Sequence, residues 1–588
     1  MKKALFIGDM FTRTIFTKTI GFTLMASLGA AFADIADALV LGVRLGEDGL
    51  AAVSFVIPIF MFYNLLSFGI GTGGAINYAK LLGAGKAKEA VSHFNEMLWT
   101  ALVTGIVITV CGIGLLPQIV EILGVSPSAG MVYTMTYEYA EMLLLAAPVF
   151  FLHSLLLAFV RADDGARIAS VAFVVGSVID IALNFLLVFR FDMGVTGAAL
   201  ATIIGTIVGV VVCLWYVRRK YTVLNYKPCK LNFKAILSSL GTGLSTSTQN
   251  VWTLVFFIVI NNLLMRLGSI SAVAVFDVTL NVSFLALAVF TAMGETLQPM
   301  VATFMGERNQ KAIKDTLQLS LRWGLLLGLL GIAALWIFTA PLCALFGIGA
   351  DIASEYGVFA VRCYLSGAVF AGLNIVFMDY YQAVNREKLA FTISFLRGFA
   401  LLLPLAFLCG KLFRVQGIWF MFPLTELLTL CVTLLLATQM HKWLPPAKAT
   451  VPTKTWLLDA NIASIAPVLS EAEEFAEGLD ATPRQVMRVE LMIEELCTAI
   501  IQVGFAKAQG SIQVTLLRVE DGSFELHIRD DALSFNLFSA KTQSISSVDD
   551  VTEDSLNSLS LLLIRKNTKT HFYRRYQGFN TLSLTIGD

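Results

Sequence analysis

Twelve long apolar segments follow one another along the first 440 residues and decide what this chain can fold into. Each has close to the ~20 residues that an α-helix needs to cross a bilayer. A mean hydropathy of +0.75, with 57% hydrophobic and 14% charged residues, fits a membrane protein with several spans. The predicted spans are residues 19–43, 52–79, 97–116, 138–159, 168–189, 195–217, 242–265, 272–300, 318–340, 357–381, 390–410 and 416–439.

Basic residues are distributed unequally between the connections that join these spans. If the N-terminus is cytoplasmic, most Lys and Arg fall on that side, and the opposite connections hold about five, among them Arg44, Arg190 and Lys411. An excess of basic residues marks the cytoplasmic side. We therefore predict a multi-pass protein of the cytoplasmic membrane with both termini in the cytoplasm. The basic residues on that side are Lys80, Lys86, Lys88, Arg161, Arg167, Arg218, Arg219, Lys220, Lys311, Lys314, Arg386 and Lys388.

The membrane part contains an internal repeat. The segments 71–83 (GTGGAINYAKLLG) and 294–306 (GETLQPMVATFMG) each begin and end with glycine and lead into a basic stretch. A second pair, VTGAAL at 195–200 and VQGIWF at 415–420, lies at almost the same offset. Two halves about 220 residues apart, with a central cavity between them, account for both pairs. The predicted fold is an all-α polytopic membrane protein with twelve transmembrane helices in two six-helix halves.

Two carboxylates lie inside predicted spans. Asp37 and Asp180 are near the middle of the first and fifth segments, where a charge costs about 2.5–3.5 kcal/mol even on the lenient insertion scale. Such a group usually faces a wet cavity and binds or relays a cation, which indicates a transporter. The alternative for each is a structural hydrogen bond between helices. Asp34, one turn from Asp37, either shares its pocket or only contacts water at the cavity wall.

Four further acids fall toward predicted helix ends, where we expect solvated side chains. Arg397 is a candidate to clamp one of them across two helices. The four acids are Asp277, Glu295, Asp379 and Glu426.

The order and spacing of short motifs over residues 10–440 resemble those of the multidrug and toxic compound extrusion (MATE) family. In the first half these motifs are Asp37 five residues before Gly42, LAAVSF at 50–55, Pro58, LLGAGKAKEA at 81–90, FVRADDGARIA at 159–169 and GVTGAALAT at 194–202. In the second half they are GETLQPMVATFMGERN at 294–309, YYQAVNREKLA at 380–390, the 397–404 segment and GIWFMFPLTE at 417–426.

This resemblance implies an antiporter that exports small amphipathic, often cationic, organic compounds from the membrane, driven by a proton or sodium gradient. In the family, a carboxylate on the first helix and an Asn/Asp pair on the fifth line a cation pocket. Asp37 matches the first, whereas the pair here is Asp180 then Asn184, in reversed order on one helix face. Thr202 and the carbonyl of Ala198 are weaker candidates to complete the coordination.

The residues leave the coupling ion open. Oxygen ligands at Asp37 and Asp180 suit sodium, and two coupled carboxylates in a low dielectric suit a proton because their repulsion raises one pKa. No other metal or cofactor is expected, and the protein is not predicted to be an enzyme.

The tail differs from the rest of the chain. After residue 450 it has 12 Lys and Arg against 19 Asp and Glu, a net −7 that leaves +7 for the membrane part. This contrast indicates two domains rather than a nucleic-acid partner. We predict a transporter domain at 1–444, a Pro-containing linker at 445–455 and a cytoplasmic domain at 456–588. Helices at 464–478 and 483–503, then strands near 511–519 and 523–529 and a final pair of strands near 570–586, predict a soluble α/β sandwich.

The tail resembles the histidine-kinase-type ATPase domains, closest to the anti-sigma-factor serine kinases, through VELMIEELCTAII, IRDDALSF and LSLLLIRK in that order. The family's magnesium-binding Asn is replaced by Ala499, and its adenine-binding D-x-G turn by Asp530-Asp531-Ala532. Side chains also stand where a Gly-rich loop would approach the phosphates. The resemblance therefore implies a retained fold without nucleotide binding. The residues of this degenerate site are Glu495, Ala499, Asp530, Ala532, Ser558 and Ser560.

The function predicted from the sequence is a cation-coupled antiporter with a cytoplasmic regulatory domain. One alternative is a flippase for a lipid-linked precursor, which would need several Arg or Lys in its cavity. Another is a membrane-anchored signalling protein whose tail phosphorylates or sequesters a soluble partner of the anti-anti-sigma kind.

Overall fold

The chain forms two compact units in the structure, which is a computed structural model. The membrane unit comprises residues 1–79, 88–302 and 311–445, and the tail unit comprises residues 80–87, 303–310 and 446–588. The residues described are 9–123, 125, 127, 130–219, 223–226, 232–267, 270–345, 357–439, 451–505, 509–519, 521–533, 536, 538 and 562–586.

Helices account for the membrane unit because a backbone in hydrocarbon must satisfy its hydrogen bonds within its own segment. The first half contains α1 (Met10–Gly83), α2 (Ala87–Gly114), α3 (Leu116–Ile122), α4 (Met131–Leu145), α5 (Ala147–Val160), α6 (Ala166–Asn184) and α7 (Gly194–Val217). The second half contains α8 (Phe233–Leu267), α9 (Ile270–Gly306), α10 (Gln310–Ile337), α11 (Thr339–Leu345), α12 (Val358–Ala383), α13 (Glu387–Phe395) and α14 (Leu402–Gln439). The last residues of α1 and α9 belong to the tail unit.

Nine helical stretches of the described residues are long and apolar enough to cross a membrane. Two of them, Ala147–Arg190 and Glu387–Thr438, each cover two predicted spans. Non-helical backbone separates the spans inside both stretches, at Asp164 with φ 98° and at Arg414 with φ 54° and ψ −140°. The predicted span 242–265 lies within α8. The polytopic helical fold is therefore confirmed.

The first helix differs from the sequence prediction. Residues 44–51 were predicted to connect the first two spans, but α1 runs through them without interruption. Helical hydrogen bonds are local, and this stretch contains no proline to interrupt them. Two candidate spans, Met10–Phe32 and Phe55–Gly83, still lie within α1.

The tail unit is built on an antiparallel sheet of five strands in the order β1-β2-β3-β5-β4. Apolar side chains of α16, such as Met492 and Leu496, pack against one sheet face that includes Val514 and Leu526. This confirms the predicted α/β fold, and β1 begins at Thr453, inside the segment predicted as a linker. The elements are β1 (Thr453–Asp459), α15 (Ile465–Glu477), α16 (Pro483–Ala499), β2 (Ser511–Arg518), β3 (Phe524–Asp530), β4 (Thr568–Tyr576) and β5 (Phe579–Ile586).

Local sequence explains two boundaries of the tail unit. Thr482 accepts a hydrogen bond from the Gln485 backbone, and the Gln485 side chain binds the Thr482 backbone in return, with Pro483 at the first helical position. This capping box starts α16. Gln577 and Gly578 have φ of 52° and 87°, the left-handed backbone that a two-residue hairpin turn between β4 and β5 requires.

Candidate functional site

Asp180 and Asn184 meet on one face of α6. The Asn184 amide donates a hydrogen bond of 3.2 Å to Asp180 Oδ1, as their spacing of four residues allows. Both side chains are buried, with exposed fractions of 9% and 2%. The predicted pair therefore forms a single polar group inside a membrane helix.

Small residues bring α7 close to this pair. A Cβ atom added to Gly205 would lie 2.6 Å from the carbonyl oxygen of Gly176 and 3.0 Å from Asp180 Cβ. A Cβ on Gly176 would in turn lie 2.8 Å from the Gly205 carbonyl oxygen. Glycine at such positions lets membrane helices approach backbone to backbone. The Asp180 side chain therefore lies at the point where α7 crosses α6.

The remaining predicted ligands differ in what the structure describes. Thr202, three residues before Gly205, donates a hydrogen bond of 3.3 Å to the carbonyl of Ala198 on its own helix. Those two groups therefore satisfy each other within α7. The side chains of Asp34 and Asp37 lie outside the described residues, although their backbone belongs to α1.

A second buried carboxylate in the first half, Asp163, was not selected from the sequence. The Tyr78 hydroxyl donates to Asp163 Oδ1 at 2.5 Å, and the Tyr216 hydroxyl lies 3.2 Å from both Asp163 Oδ2 and its carbonyl oxygen. Asp163 precedes the kink at Asp164, so the tyrosines of α1 and α7 hold the turn between α5 and α6. The RADDG motif was the available signal, because paired acids between two apolar spans are unusual.

In the second half, Glu426 is neutralised by Arg397. The Arg397 side chain donates two hydrogen bonds to Glu426 Oε1, of 2.9 and 3.1 Å, and Asn374 donates to Glu426 Oε2 at 2.8 Å. The Arg397 and Glu426 side chains are only 7% and 3% exposed. The predicted clamp by Arg397 is confirmed. The expected solvation of Glu426 is wrong, because it lies in the interior of α14, where only a paired charge is tolerated.

Asp379 is also buried, which corrects the solvated position expected for it. The Gln298 amide donates to Asp379 Oδ1 at 2.8 Å and to the Gln382 side-chain oxygen at 2.9 Å. Gln382 donates in turn to the carbonyl of Thr242 at 2.6 Å. The carboxylate packs directly against Gly294, where any Cβ atom would overlap it. This amide chain joins α8, α9 and α12.

Polar contacts also join the two halves through α9. Arg161 forms an ion pair of 3.2 Å with Glu295, whose side chain is one-third exposed. The Thr23 and Thr296 hydroxyls lie 2.6 Å apart, and Ser27 donates to Glu295 at 3.4 Å. Glu295 therefore keeps part of its predicted solvation while linking the halves. The side chain of Asp277 lies outside the described residues.

Four residues of the predicted degenerate nucleotide site, Glu495, Ala499, Asp530 and Ala532, are described in the structure. Ala499 ends α16 against the apolar core and offers no oxygen for a metal ion, and Glu495 on the same helix is only half-buried. The carboxylate of Asp530 accepts hydrogen bonds at Oδ1 from the Asn580 amide at 2.7 Å and from the Ala532 backbone at 3.0 Å. Ser558 and Ser560 lie outside the described residues.

Asn580 was not anticipated from the sequence. Its amide donates to the Asp530 carboxylate, which the resemblance assigns to adenine binding. Burial raises the pKa of Asp530 to about 6, against the lowering effect of the hydrogen bonds from Asn580 and Ala532. The Oδ1 atom of this carboxylate therefore already has two donors from the chain itself.

Comparison with protein-family models gives two matches. The MatE model matches residues 23–186 and 244–408, more than half of the chain. The two matches begin 221 residues apart, in agreement with the offset of the internal repeat. A histidine kinase-like ATPase domain model matches residues 458–586.

Curated relatives and solved structures agree with the family models. The chain is 24% identical over 415 residues to an FAD transporter of Shewanella oneidensis, covering 69% of this chain and 90% of the relative. It is 23% identical over 409 residues to the multidrug export protein MepA of Staphylococcus aureus, covering 69% and 87%. A crystal structure of MATE in complex with MaL6 matches with a TM-score of 0.69 and 19% identity, covering 73% of this chain and 96% of that one. The protein is therefore a multi-pass membrane protein of the MatE family, whose relatives are transporters, with a histidine kinase-like ATPase domain at its C-terminus.

Proposed function

We propose that the protein is a cation-coupled antiporter of the cytoplasmic membrane, with both termini in the cytoplasm. The observation that supports this most directly is the buried Asp180–Asn184 pair at the crossing of α6 and α7. A charged side chain inside a membrane span is energetically costly, and such residues usually lie on an ion pathway. Together with Asp37 it would form the coupling site, with Asp34, one turn from Asp37, and Thr202 and Ala198 on α7 as weaker candidates to complete it.

Two coupling ions fit this inventory. Sodium would be held by the carboxylate, amide and hydroxyl oxygens. A proton would instead bind one of the two carboxylates, Asp37 or Asp180. Either ion neutralises Asp180, so binding favours the conformation in which that side chain is least solvated.

Everted membrane vesicles with an imposed proton or sodium gradient test the proposal and choose the ion. The wild type should accumulate a fluorescent cationic dye with only one of the two gradients, and Asp180→Asn should accumulate none with either. Glu138→Gln is the matched control, because this carboxylate is exposed and bonds only to Thr196 at 3.1 Å among its described contacts. Wild-type accumulation by Asp180→Asn would exclude the site.

The substrate class follows from the sign of the buried charges. In the described part of the membrane unit, Arg397 is the one buried cationic side chain. The same part of the chain contains six buried carboxylates, namely Glu96, Asp163, Asp180, Asp315, Asp379 and Glu426. This excess of negative charge favours amphipathic cations over an anion such as the dinucleotide in the name of the Shewanella relative. The same excess disfavours a flippase for a lipid-linked phosphate, which needs cationic residues in its cavity.

An apolar groove in the first half suits the hydrophobic part of such a substrate, or a lipid chain. It encloses about 370 Å³ and is lined mainly by apolar side chains of α1 to α4, among them Pro58, Phe62, Tyr63, Ile108 and Leu144. A competition test with FAD and a quaternary ammonium dye separates the two substrate classes. Competition by FAD alone would overturn the cationic assignment.

The tail is proposed to regulate by binding rather than by phosphorylation. Ala499 removes the magnesium ligand, and Asn580 occupies the Asp530 carboxylate. Calorimetric titration of the full chain in detergent should give an affinity for ATP·Mg no tighter than roughly the millimolar range. A micromolar affinity would instead favour the signalling alternative, in which the tail modifies or sequesters a soluble partner of the anti-anti-sigma kind.

A further inference from the structure

One face of the tail sheet is polar yet buried. An antiparallel sheet with helices on one face usually leaves the other face in water. In β2, β3 and β5, most side chains opposite α16 are polar and still almost completely buried, with the apolar Leu517 beside them. The polar residues are Gln513, Thr515, His527, Arg529, Thr581 and Ser583. A partner must therefore cover this face within the tail unit.

Part of the cover is residues 303–310, the end of α9 and the turn after it. Arg529 Nη2 donates to both carboxylate oxygens of Glu307, at 2.8 and 2.9 Å, and each side chain is 5% exposed. Arg574 on β4 lies 3.8 Å from the same carboxylate. The Arg529 guanidinium also lies 5.4 Å from the centre of the Phe304 ring. Two arginines of the tail thus converge on one glutamate of the second half.

The contact is close-packed. Only about 10 Å³ remains between Glu307, Asn309 and the polar sheet face, roughly the room for one water molecule. A buried pair of this kind is strongly destabilised when one partner is removed, because the remaining charge is left uncompensated. The Glu307–Arg529 pair is therefore the contact to test.

The first half reaches the same face through residues 80–87. Gly85 has φ 74°, and a Cβ atom there would lie 3.6 Å from Phe572 Cβ and 3.8 Å from Ser583 Cβ. The left-handed backbone lets the turn after α1 approach the sheet without a side chain between them. The tail sheet thus contacts one segment from each half.

The two segments also contact each other backbone to backbone. A Cβ atom on Gly83 would overlap the carbonyl of Thr303, and one on Gly306 would overlap the carbonyl of Lys80. Gly83 and Gly306 are the closing glycines of the two repeat segments identified in the sequence. Equivalent points of the two halves therefore meet where the tail covers them.

We infer that the tail is an intramolecular clamp, whose polar sheet face binds residues 80–87 and 303–310 and holds the ends of α1 and α9 together. This inference rests on the proposed transport function, since repeat-built transporters alternate access by moving one half against the other. Both segments belong to connections predicted to be cytoplasmic. The bound tail favours the state closed to the cytoplasm and slows turnover, and a released tail permits opening.

Maleimide labelling of two introduced cysteines measures whether the clamp is closed, and it does not require transport. In the full chain, with its eight cysteines replaced by serine, Ser583→Cys reports release of the sheet face and Thr303→Cys reports separation of the helix ends. Both native side chains are buried, at 9% and 0% exposed. Glu307→Ala, which leaves the tail sequence intact, should raise the rate of maleimide labelling at both positions at least about tenfold. Arg529→Ala should do the same.

Exchanging the charges with Glu307→Arg and Arg529→Glu, together with Arg574→Gln so that no second arginine meets the new one, should restore slow labelling. Lys454→Ala is the matched control, because it breaks an exposed tail ion pair of 3.0 Å with Glu471 and should change neither reporter. Unchanged labelling of Ser583→Cys in both alanine variants would overturn the docking. Faster labelling of Ser583→Cys with unchanged Thr303→Cys would overturn the clamp.

Dye accumulation by everted vesicles provides the link to transport. Glu307→Ala should increase the rate, and an unchanged or lower rate with both reporters accelerated would overturn the regulatory role. A wild type that exports no dye, with both reporters behaving as expected, would contradict the proposed transport function and leave the intramolecular contact established.

Discussion

Buried carboxylates of the membrane unit are held either by an arginine or by neutral donors, and the two halves differ in this respect. In the second half, Glu426 meets the Arg397 guanidinium, which compensates its charge inside the fold, while Asp379 accepts a hydrogen bond from the neutral Gln298 amide. In the first half, Asp180 accepts a hydrogen bond from Asn184, and Asp163 accepts hydrogen bonds from Tyr78 and Tyr216. Neutral donors orient a carboxylate without cancelling its charge.

Under the proposed function, this difference separates a structural role for Glu426 from a transport role for Asp180. A carboxylate neutralised by arginine gains little from a further cation. The repeat thus supplies similar helices to both halves, and the described residue beside each acid differs between them. The following predictions test that distinction.

The largest effect is expected from breaking the second-half pair. Arg397→Ala should destabilise the folded protein by about 3–5 kcal/mol, because it leaves the Glu426 charge buried without its partner. Thermal unfolding in detergent measures this loss. Removing both charges with Arg397→Met and Glu426→Gln should cost less than the single change, and an equal loss would contradict the assignment of a compensated charge pair.

Exchanging the first-half pair should affect transport rather than stability. Asp180→Asn should reduce gradient-driven efflux by about a hundredfold, close to 2.7 kcal/mol, at an unchanged melting temperature. The double change Asp180→Asn with Asn184→Asp should restore part of the rate, since both positions lie on one face of α6. No recovery would show that the carboxylate must stand at position 180 itself.

The tail offers a third arrangement, in which an amide holds a buried acid whose pKa is raised. Because the pKa of Asp530 is about 6 in the folded chain against 3.8 ordinarily, the folded state binds more protons between those values. Its stabilising contribution is complete below about pH 4 and is lost as the pH rises through 6, by about 3 kcal/mol.

Hydrogen exchange of the β3 and β5 amides, corrected for the intrinsic rate, measures this stability in the full chain. Asp530→Asn keeps an oxygen acceptor for Asn580 and should remove the pH dependence. Its persistence in that variant would assign the titration to another group.

The smallest effect is expected at the tyrosines that hold Asp163. Tyr216→Phe should cost about 1 kcal/mol of stability, because both of its contacts are 3.2 Å long. Tyr78→Phe removes a contact of 2.5 Å and should cost more, about 1.5–3 kcal/mol for a hydrogen bond to a charged group. Melting temperatures compare the two variants, and the reverse order would show that Tyr216 is the main support of the kink.

Apolar length and local capping signals predicted most elements correctly. The strand β1 was missed because its first residues follow a Pro-containing stretch and share its small polar composition. The burial of Asp379 and Glu426 was missed because hydropathy shows how far along a span a residue lies but not which face of the helix carries it. Gln298 and Arg397, which make that burial tolerable, are distant in sequence from the acids they contact.

The sequence by itself determined the membrane-spanning class, the two-half repeat, the carboxylate at position 180 and the change at Ala499, since each depends on composition or on spacing within one element. Only the tertiary structure decided which acids are paired, that Asn580 occupies Asp530, and that Glu307 meets Arg529. Those contacts join residues 29, 50 and 222 positions apart. No local pattern encodes them, because they depend on how separate helices and strands pack.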